Sequence, residues 1–425
     1  MTTTSISIEA LRERYATAQR RALDLDMTRG KPCSEQLDLS LPLLHCLDAA
    51  DYRALDGTDC RNYGVLDGLP EAKRFFADIL EVAPEAVIVG DNASLSLMYD
   101  LVSEAVHRGV PGSARPWGRE PAVKVLCPSP GYDRHFALCE HLGADTVTVP
   151  IGADGPDLEE VSRLAADDAA VKAIFCVPRY SNPTGITYGI ETVRHLARMK
   201  TAAPDFRIVW DNAYVVHHLY PDPEPLAPIL EECRAAGHPD RPLLFASTSK
   251  ITLAGAGISA IAGSDANLAW FRQSRGKRTI GPDKIAQLRH ARFLPDRAAL
   301  DAHMRRHAAI LRPKFEAVSE ILERELEGTG VASWSRPRGG YFSSLDVPDG
   351  CAARVVALAK EAGVKLTAAG ATFPRGNDPR DRNIRIAPSF PPLAELRQAT
   401  EILALSVLLV AAEAGAARAG AGHSC

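Results

Sequence analysis

From Ile8 to Leu23 the apolar positions Ile8, Leu11, Tyr15, Ala18 and Ala22 recur at intervals of three and four, which predicts an N-terminal helix. A glycine and proline break, Arg29-Gly30-Lys31-Pro32, follows it, and a turn-rich loop, Arg61 to Pro70, feeds a helix over Glu71 to Leu80. Beyond that point the period changes. Short apolar runs at Val87–Val89, Val123–Cys127, Val171–Val177, Phe206–Trp210 and Leu243–Ala246 read as buried strands, with helical patterns between them up to about Arg289. Strand and helix in alternation predict βαβ units, hence an α/β fold around a mostly parallel sheet. Residues 297–326 are helical and strongly charged, and the next strand signal is Gly340–Val347, so a second, smaller α/β lobe is expected. The boundaries read as 1–48 for an N-terminal arm and part of the small domain, 49–294 for the large domain, 295–414 for the small C-terminal domain and 415–425 for a disordered, alanine- and glycine-rich tail.

Composition narrows the function classes. The chain has 425 residues, 46% of them hydrophobic and 24% charged, which suits a soluble globular protein of two or three domains. A net charge of −4 gives no basic field, so neither nucleic acid nor an anionic membrane is expected as a partner. The nine cysteines have no Cys-x-x-Cys pair and no metal-ligand spacing, so no metal is expected and the thiols read as those of a reduced, cytoplasmic protein. No signal peptide is apparent in the first fourteen residues, and the longest apolar run, Ile402–Ala412, is too short to cross a bilayer and reads as an amphipathic helix.

The polar residues that end the strands carry the candidate chemistry. Leu243–Ala246 runs into Ser247-Thr248-Ser249-Lys250, and a lysine whose pKa is lowered can hold a carbonyl compound covalently, although most lysines after strands are surface residues. Trp210 is followed by Asp211-Asn212-Ala213-Tyr214, where a carboxylate at the end of a buried strand calls for a cationic partner. Val177 is followed by Asn182-Pro183, and Cys127 by Tyr132, an aromatic placed either to stack on a ring or to cover the core. After Val89, Asp91-Asn92-Ala93-Ser94 opens a helix through His107; its start either offers free N–H groups to a phosphate or is simply capped by Asn92 or Ser94. In open parallel sheets ligands bind at the carboxyl ends of the strands, so these loops are expected to converge. In the small lobe, Arg385 interrupts the apolar strand Asn383–Ser389 and suits either a substrate carboxylate or an internal salt bridge.

Asn182-Pro183-x-Gly185, Asp211-x-x-Tyr214, Ser247-x-Ser249-Lys250 and Arg385, in that order, resemble the class I pyridoxal-phosphate aminotransferases of fold type I. The runs Arg29–Pro32, Tyr132–Phe136, Trp210–His218, Gly281–Lys284 and Ala368–Thr372 bring the resemblance closest to the bacterial aspartate aminotransferase subgroup, over Met27 to Ser389. It implies a homodimer using pyridoxal 5′-phosphate, with Lys250 as the covalent anchor and proton carrier. Asp211 would sit under the ring nitrogen, Asn182 and Tyr214 would meet the phenolic oxygen, and Tyr132 would stack on the ring. Ser247, Ala93 and Ser94 would hold the phosphate, joined by Tyr63 of the partner, and Arg385 with the Gly30 backbone would take the substrate carboxylate.

One departure is plain: the position eight residues after the lysine, where many relatives carry a phosphate-binding arginine, is Ile258. For a distal carboxylate, Arg278 and Lys284 are the weak candidates, each more simply read as a solvated charge. The expected activity is ping-pong transfer of an amino group from an L-amino acid, aspartate or glutamate, to a 2-oxo acid such as 2-oxoglutarate or oxaloacetate. The alternatives are an enzyme of a specialised biosynthetic pathway that keeps the cofactor but acts on another amino acid or as a lyase, and a non-catalytic effector-binding domain.

Overall fold

The computed structural model describes residues 7–421. Its centre is an eight-stranded sheet: β1 (Val87–Val89), β2 (Lys124–Ser129), β3 (Asp145–Gly152), β4 (Gly155–Pro156), β5 (Val171–Cys176), β6 (Arg207–Asp211), β7 (Pro242–Ser247) and β8 (Ser259–Gly263), in the spatial order β1-β8-β7-β6-β5-β2-β3-β4. The five strands β7, β6, β5, β2 and β3 run parallel, while β8 is antiparallel to both of its neighbours and β4 to β3. β5, β6 and β8 are buried along their whole length, as strands covered by helices on both faces must be. Because β1 and the parallel strands share one direction, their carboxyl ends all open on one edge.

The small lobe holds a three-stranded antiparallel sheet of Ser333–Trp334, Ser343–Asp346 and Asn383–Ile386, in which Arg385 lies opposite Ser344. The N-terminal helix Ile8–Arg20 packs here, burying Leu11, Tyr15 and Ala18, in one cluster with Val318, Leu345, Ile384 and Leu403. A single helix of 30 residues, Arg297–Leu326, ties the lobes together: Leu300 and Met304 belong to the large-lobe core, Val318, Leu322 and Leu326 to the small-lobe core. Between them lies an aromatic cluster that includes Tyr180, Tyr214, Phe315, Tyr341 and Phe342.

Two expectations at the carboxyl terminus need correction. The last helix runs from Leu393 to Ala421, through Gly415 and Gly420, where a disordered tail was expected; alanine is the strongest helix former, and each glycine costs only about 1 kcal/mol against it. Tail positions 422–425, like residues 1–6, lie outside the described residues. The same helix contains a 24-residue stretch, Leu393–Ala416, that is long and apolar enough to cross a membrane by length and composition, so Ile402–Ala412 understated its extent. It buries Leu396, Ala399, Ile402, Leu403, Val407 and Val410 in the small-lobe core.

Candidate active site

The strand-end loops converge as expected. Asp211 closes β6 and is 2% exposed. Its Oδ2 lies 3.0 Å from Nε2 of His135, whereas its buried Oδ1 has no hydrogen-bond partner. A buried carboxylate oxygen left unpaired is costly and marks a place where a donor belongs. His135, on the helix Asp133–His141, is the hydrogen-bond partner of this acid, and sequence reasoning did not single it out although it stands within the Tyr132–Phe136 run.

Three residues beyond β7, the Lys250 amine lies 5.1 Å from the centre of the Tyr214 ring. Loss of water lowers its pKa from the ordinary lysine value, and the nearby Asp211 carboxylate works against that shift. The amine is thereby made easier to use as a neutral nucleophile. Tyr214 is 2% exposed, and burial first, then the neighbouring Tyr132 and Asp211, hold its phenol well above the usual tyrosine value. Burial likewise pushes Tyr132 up to about 12. The Tyr132 ring stands edge-on to His135, with centroids 4.9 Å apart.

Arg385 reaches in from the small lobe. Its Nη1 donates to Asp133 Oδ1 at 3.0 Å and to Asn182 Oδ1 at 3.4 Å, and its Nη2 to Thr367 Oγ1 at 3.2 Å. The buried Nε has no partner. The internal salt-bridge reading of this arginine is thus observed, and one buried donor is left over beside it. The guanidinium carbon sits 5.0 Å from the centre of the Phe342 ring, and a Cβ at Gly30 would run into that same ring, so the Gly30 backbone approaches the site as only glycine allows.

The segments expected to meet a phosphate form a junction of two loops. Ser247 Oγ donates to Ser249 Oγ at 3.1 Å, and Ser249 Oγ to the Asn92 carbonyl at 3.4 Å. The helix Ser94–Arg108 has Ala93 as its N-cap with no side-chain cap, so neither Asn92 nor Ser94 closes it and its first N–H groups stay available to an anion. Ile258 is buried in the large-lobe core and brings no charge to this end.

The remaining candidates stand apart. Tyr63 is 82% exposed, which takes it out of the site of its own chain. Arg278 and Lys284 are not simple solvated charges: Arg278 pairs with Asp91 at 2.7 Å and Asp100 at 3.0 Å, and Lys284, 4% exposed, donates to the Gly64 carbonyl at 3.1 Å.

The residues present fit pyridoxal phosphate. The orphaned Asp211 Oδ1 suits a protonated ring nitrogen, the desolvated Lys250 amine suits an aldehyde, and the uncapped helix start beside Ser247 suits a phosphate.

Comparison with known proteins agrees. The sequence model of the family described as "Aspartate amino-transferase" matches residues 2–419. An aspartate aminotransferase of Corynebacterium glutamicum is 47% identical over 405 residues, 95% of this chain and 94% of that protein. The crystal structure of an aspartate transaminase from the same species superposes with a TM-score of 0.94 at 46% identity, over 97% of this chain and 100% of that one. The α-aminoadipate aminotransferase LysN of Thermus thermophilus, solved with N-(5′-phosphopyridoxyl)-L-leucine, shares the fold at a TM-score of 0.73 and 20% identity, over 96% and 100% of the two chains. With its sequence matched from residue 2 to residue 419, the chain belongs to the aspartate aminotransferase family, enzymes of fold type I that work with pyridoxal 5′-phosphate.

Proposed function

We propose that the chain is a cytoplasmic, homodimeric transaminase that takes the amino group of a dicarboxylic L-amino acid, aspartate or glutamate, and passes it to 2-oxoglutarate or oxaloacetate in ping-pong half-reactions. The observation that carries the reading is the pair of unsatisfied groups beside one desolvated amine: Asp211 Oδ1 and Arg385 Nε, both buried, with Lys250 close to Asp211. The relative from Corynebacterium glutamicum named as an aspartate aminotransferase supports the substrate class.

Pyridoxal phosphate, when bound, supplies a carbonyl that captures an amine and a ring that stores an electron pair. The chain's own residues do the rest. Lys250, its amine desolvated, would be the residue that holds the group and then moves a proton at the substrate α-carbon. Asp211, oriented by His135, keeps a proton on the ring nitrogen. Asn182, Tyr214 and Tyr132 would hold the ring, the first two by hydrogen bonds and the third by its aromatic face. The N–H groups of Ala93 and Ser94, with the Ser247 hydroxyl, hold the phosphate. Arg385 takes the substrate α-carboxylate through its free edge, with the Gly30 backbone alongside. Tyr63 completes the phosphate site of the partner subunit. Its exposure, together with exposed apolar Leu41, Leu44 and Ile280, supports a face covered by a second copy. For a distal carboxylate of the partner's substrate, Arg278 is the better placed of the two cations, half-exposed although paired with Asp91 and Asp100, since Lys284 is buried on the Gly64 carbonyl.

A panel of amino donors, each given alone and scored by conversion of the bound cofactor's absorbance to that of its amine form, tests this. Rapid conversion by aspartate and glutamate is expected. Product release without conversion would favour a lyase, and conversion only by other amino acids would displace the dicarboxylate assignment.

A further inference from the structure

Around the Lys250 backbone lies a chain of buried polar groups that the reaction does not use directly. The turn carrying the lysine is closed by the N–H groups of Ile251 and Thr252 on the Thr248 carbonyl, both at 2.9 Å. The Lys250 carbonyl itself is held by side chains: His217 Nε2 lies 3.1 Å from it, and the Tyr341 hydroxyl donates to it at 3.3 Å. Gln36 fixes the direction of the second of these bonds. Its Oε1 accepts the Cys33 N–H at 3.2 Å, so its Nε2 must donate to the Tyr341 oxygen at 2.8 Å and to His307 Nδ1 at 2.9 Å. The tyrosine hydroxyl, already an acceptor, is thus left with its proton for Lys250 O. The next carbonyl, Ile251 O, lies 2.7 Å from His303 Nε2. All five side chains are buried: Gln36 and Tyr341 at 0% exposure, His307 at 1%, His217 at 4% and His303 at 5%.

These groups come from four separate places: the segment just after Gly30-Lys31-Pro32, the loop after β6, the Tyr341–Phe342 turn of the small lobe and the helix that joins the lobes. Tyr341 also stacks on Tyr214 at 5.9 Å, and His217 stands edge-on to both rings at 5.8 and 5.5 Å. A donor on a backbone carbonyl fixes the peptide plane, and the plane sets the direction in which the four-carbon side chain leaves. A displacement of about 1 Å at a reacting group can cost about a hundredfold in rate.

We propose that Tyr341, His217 and Gln36 are positioning residues for Lys250, holding its peptide from behind so that the amine stays aligned while it moves protons. The inference rests on the role given to Lys250 above. Tyr341→Phe removes one hydroxyl and keeps the ring packing; His217→Leu removes the other donor, and His217→Gln offers an amide in its place. With melting temperature and covalent cofactor content measured alongside, Tyr341→Phe and His217→Leu should each lose about tenfold in kcat with the donor KM within about twofold. Each should also move the pH midpoint of the bound cofactor's absorbance in substrate-free enzyme, and His217→Gln should recover part of both effects. An unmoved midpoint with wild-type kcat, or a loss of activity that follows cofactor content alone, overturns the proposal while leaving Lys250 in its role. Wild-type enzyme that carries no cofactor on Lys250 overturns both.

Discussion

Asp211 is 2% exposed and, although His135 meets its Oδ2, its buried Oδ1 has no partner, so it is the residue where function is most visible against stability. Asp211→Ala should retain covalently bound cofactor yet slow the half-reaction with amino donor by a hundredfold or more, on the order expected for a lost proton-holding group; near-normal conversion of the absorbance would remove it from the mechanism. Arg385→Ala should raise KM for every amino donor by about ten- to a hundredfold, because a charge-assisted contact is lost, and steady-state kinetics across several donors would show it. Asp211 stood out as a candidate because it directly follows an apolar run, and Asn182, Tyr214 and Lys250 because each lies in the polar turn four or five residues past one. Their partners did not. His135 meets Asp211 across 76 positions and Asp133 meets Arg385 across 252, and such pairs exist only once the sheet and the two lobes are assembled.

At the scale of elements, the start of the helix Ser94–Arg108 is the informative case. Asn92 and Ser94 gave it the look of a capped helix, but the N-cap falls on Ala93, in extended backbone geometry with no side-chain oxygen to offer. Ala93→Asp should therefore stabilise the apoenzyme by about 1 kcal/mol while weakening the cofactor, since the new carboxylate takes the N–H groups and repels the phosphate. Melting curves with and without pyridoxal phosphate test it: the cofactor-induced rise in Tm should shrink, and an undiminished rise would show that the phosphate lies elsewhere. Strands β5, β6 and β7 were plain in the sequence as β-branched and aromatic runs closed by polar turns. β8, Ser259–Gly263, was not, because its serine, alanine and glycine residues carry a weak strand signal and its place beside β7 is set by tertiary packing. The carboxyl-terminal helix outran its expected limit for the opposite reason: alanine-rich sequence looks featureless and yet favours helix once one end is docked.

For the whole molecule, the two lobes share the helix Arg297–Leu326 and enclose several uncharged imidazoles. Burial holds His217 and His307 down to about 3 and His290 to about 4, against an unfolded value near 6.5. Below that pH the unfolded chain takes up protons that the folded chain refuses. Stability is therefore complete above about pH 6.5 and falls as the pH drops toward 4. Apoenzyme Tm measured from pH 7.5 to 5 should stay level at first and then decline, and His290→Gln should make the decline shallower; a flat profile would contradict these environments. Shared sites have their own test: mixing Lys250→Ala with Tyr63→Ala should recover activity through hybrid dimers holding one intact site, and no recovery would argue against a site built from two subunits. The change of pattern near residue 297 falls at the start of the helix that contributes to both cores, whereas the crossing of lobes at Tyr341, Gln36 and His307 was not readable, since each alone reads as an ordinary core or loop residue. The most direct measurement is borohydride reduction of the purified holoenzyme followed by peptide mass spectrometry. The peptide containing Lys250 should carry the added mass of the reduced cofactor, and Lys250→Ala should carry none; a modification on any other lysine, or on no residue, would contradict the assignment.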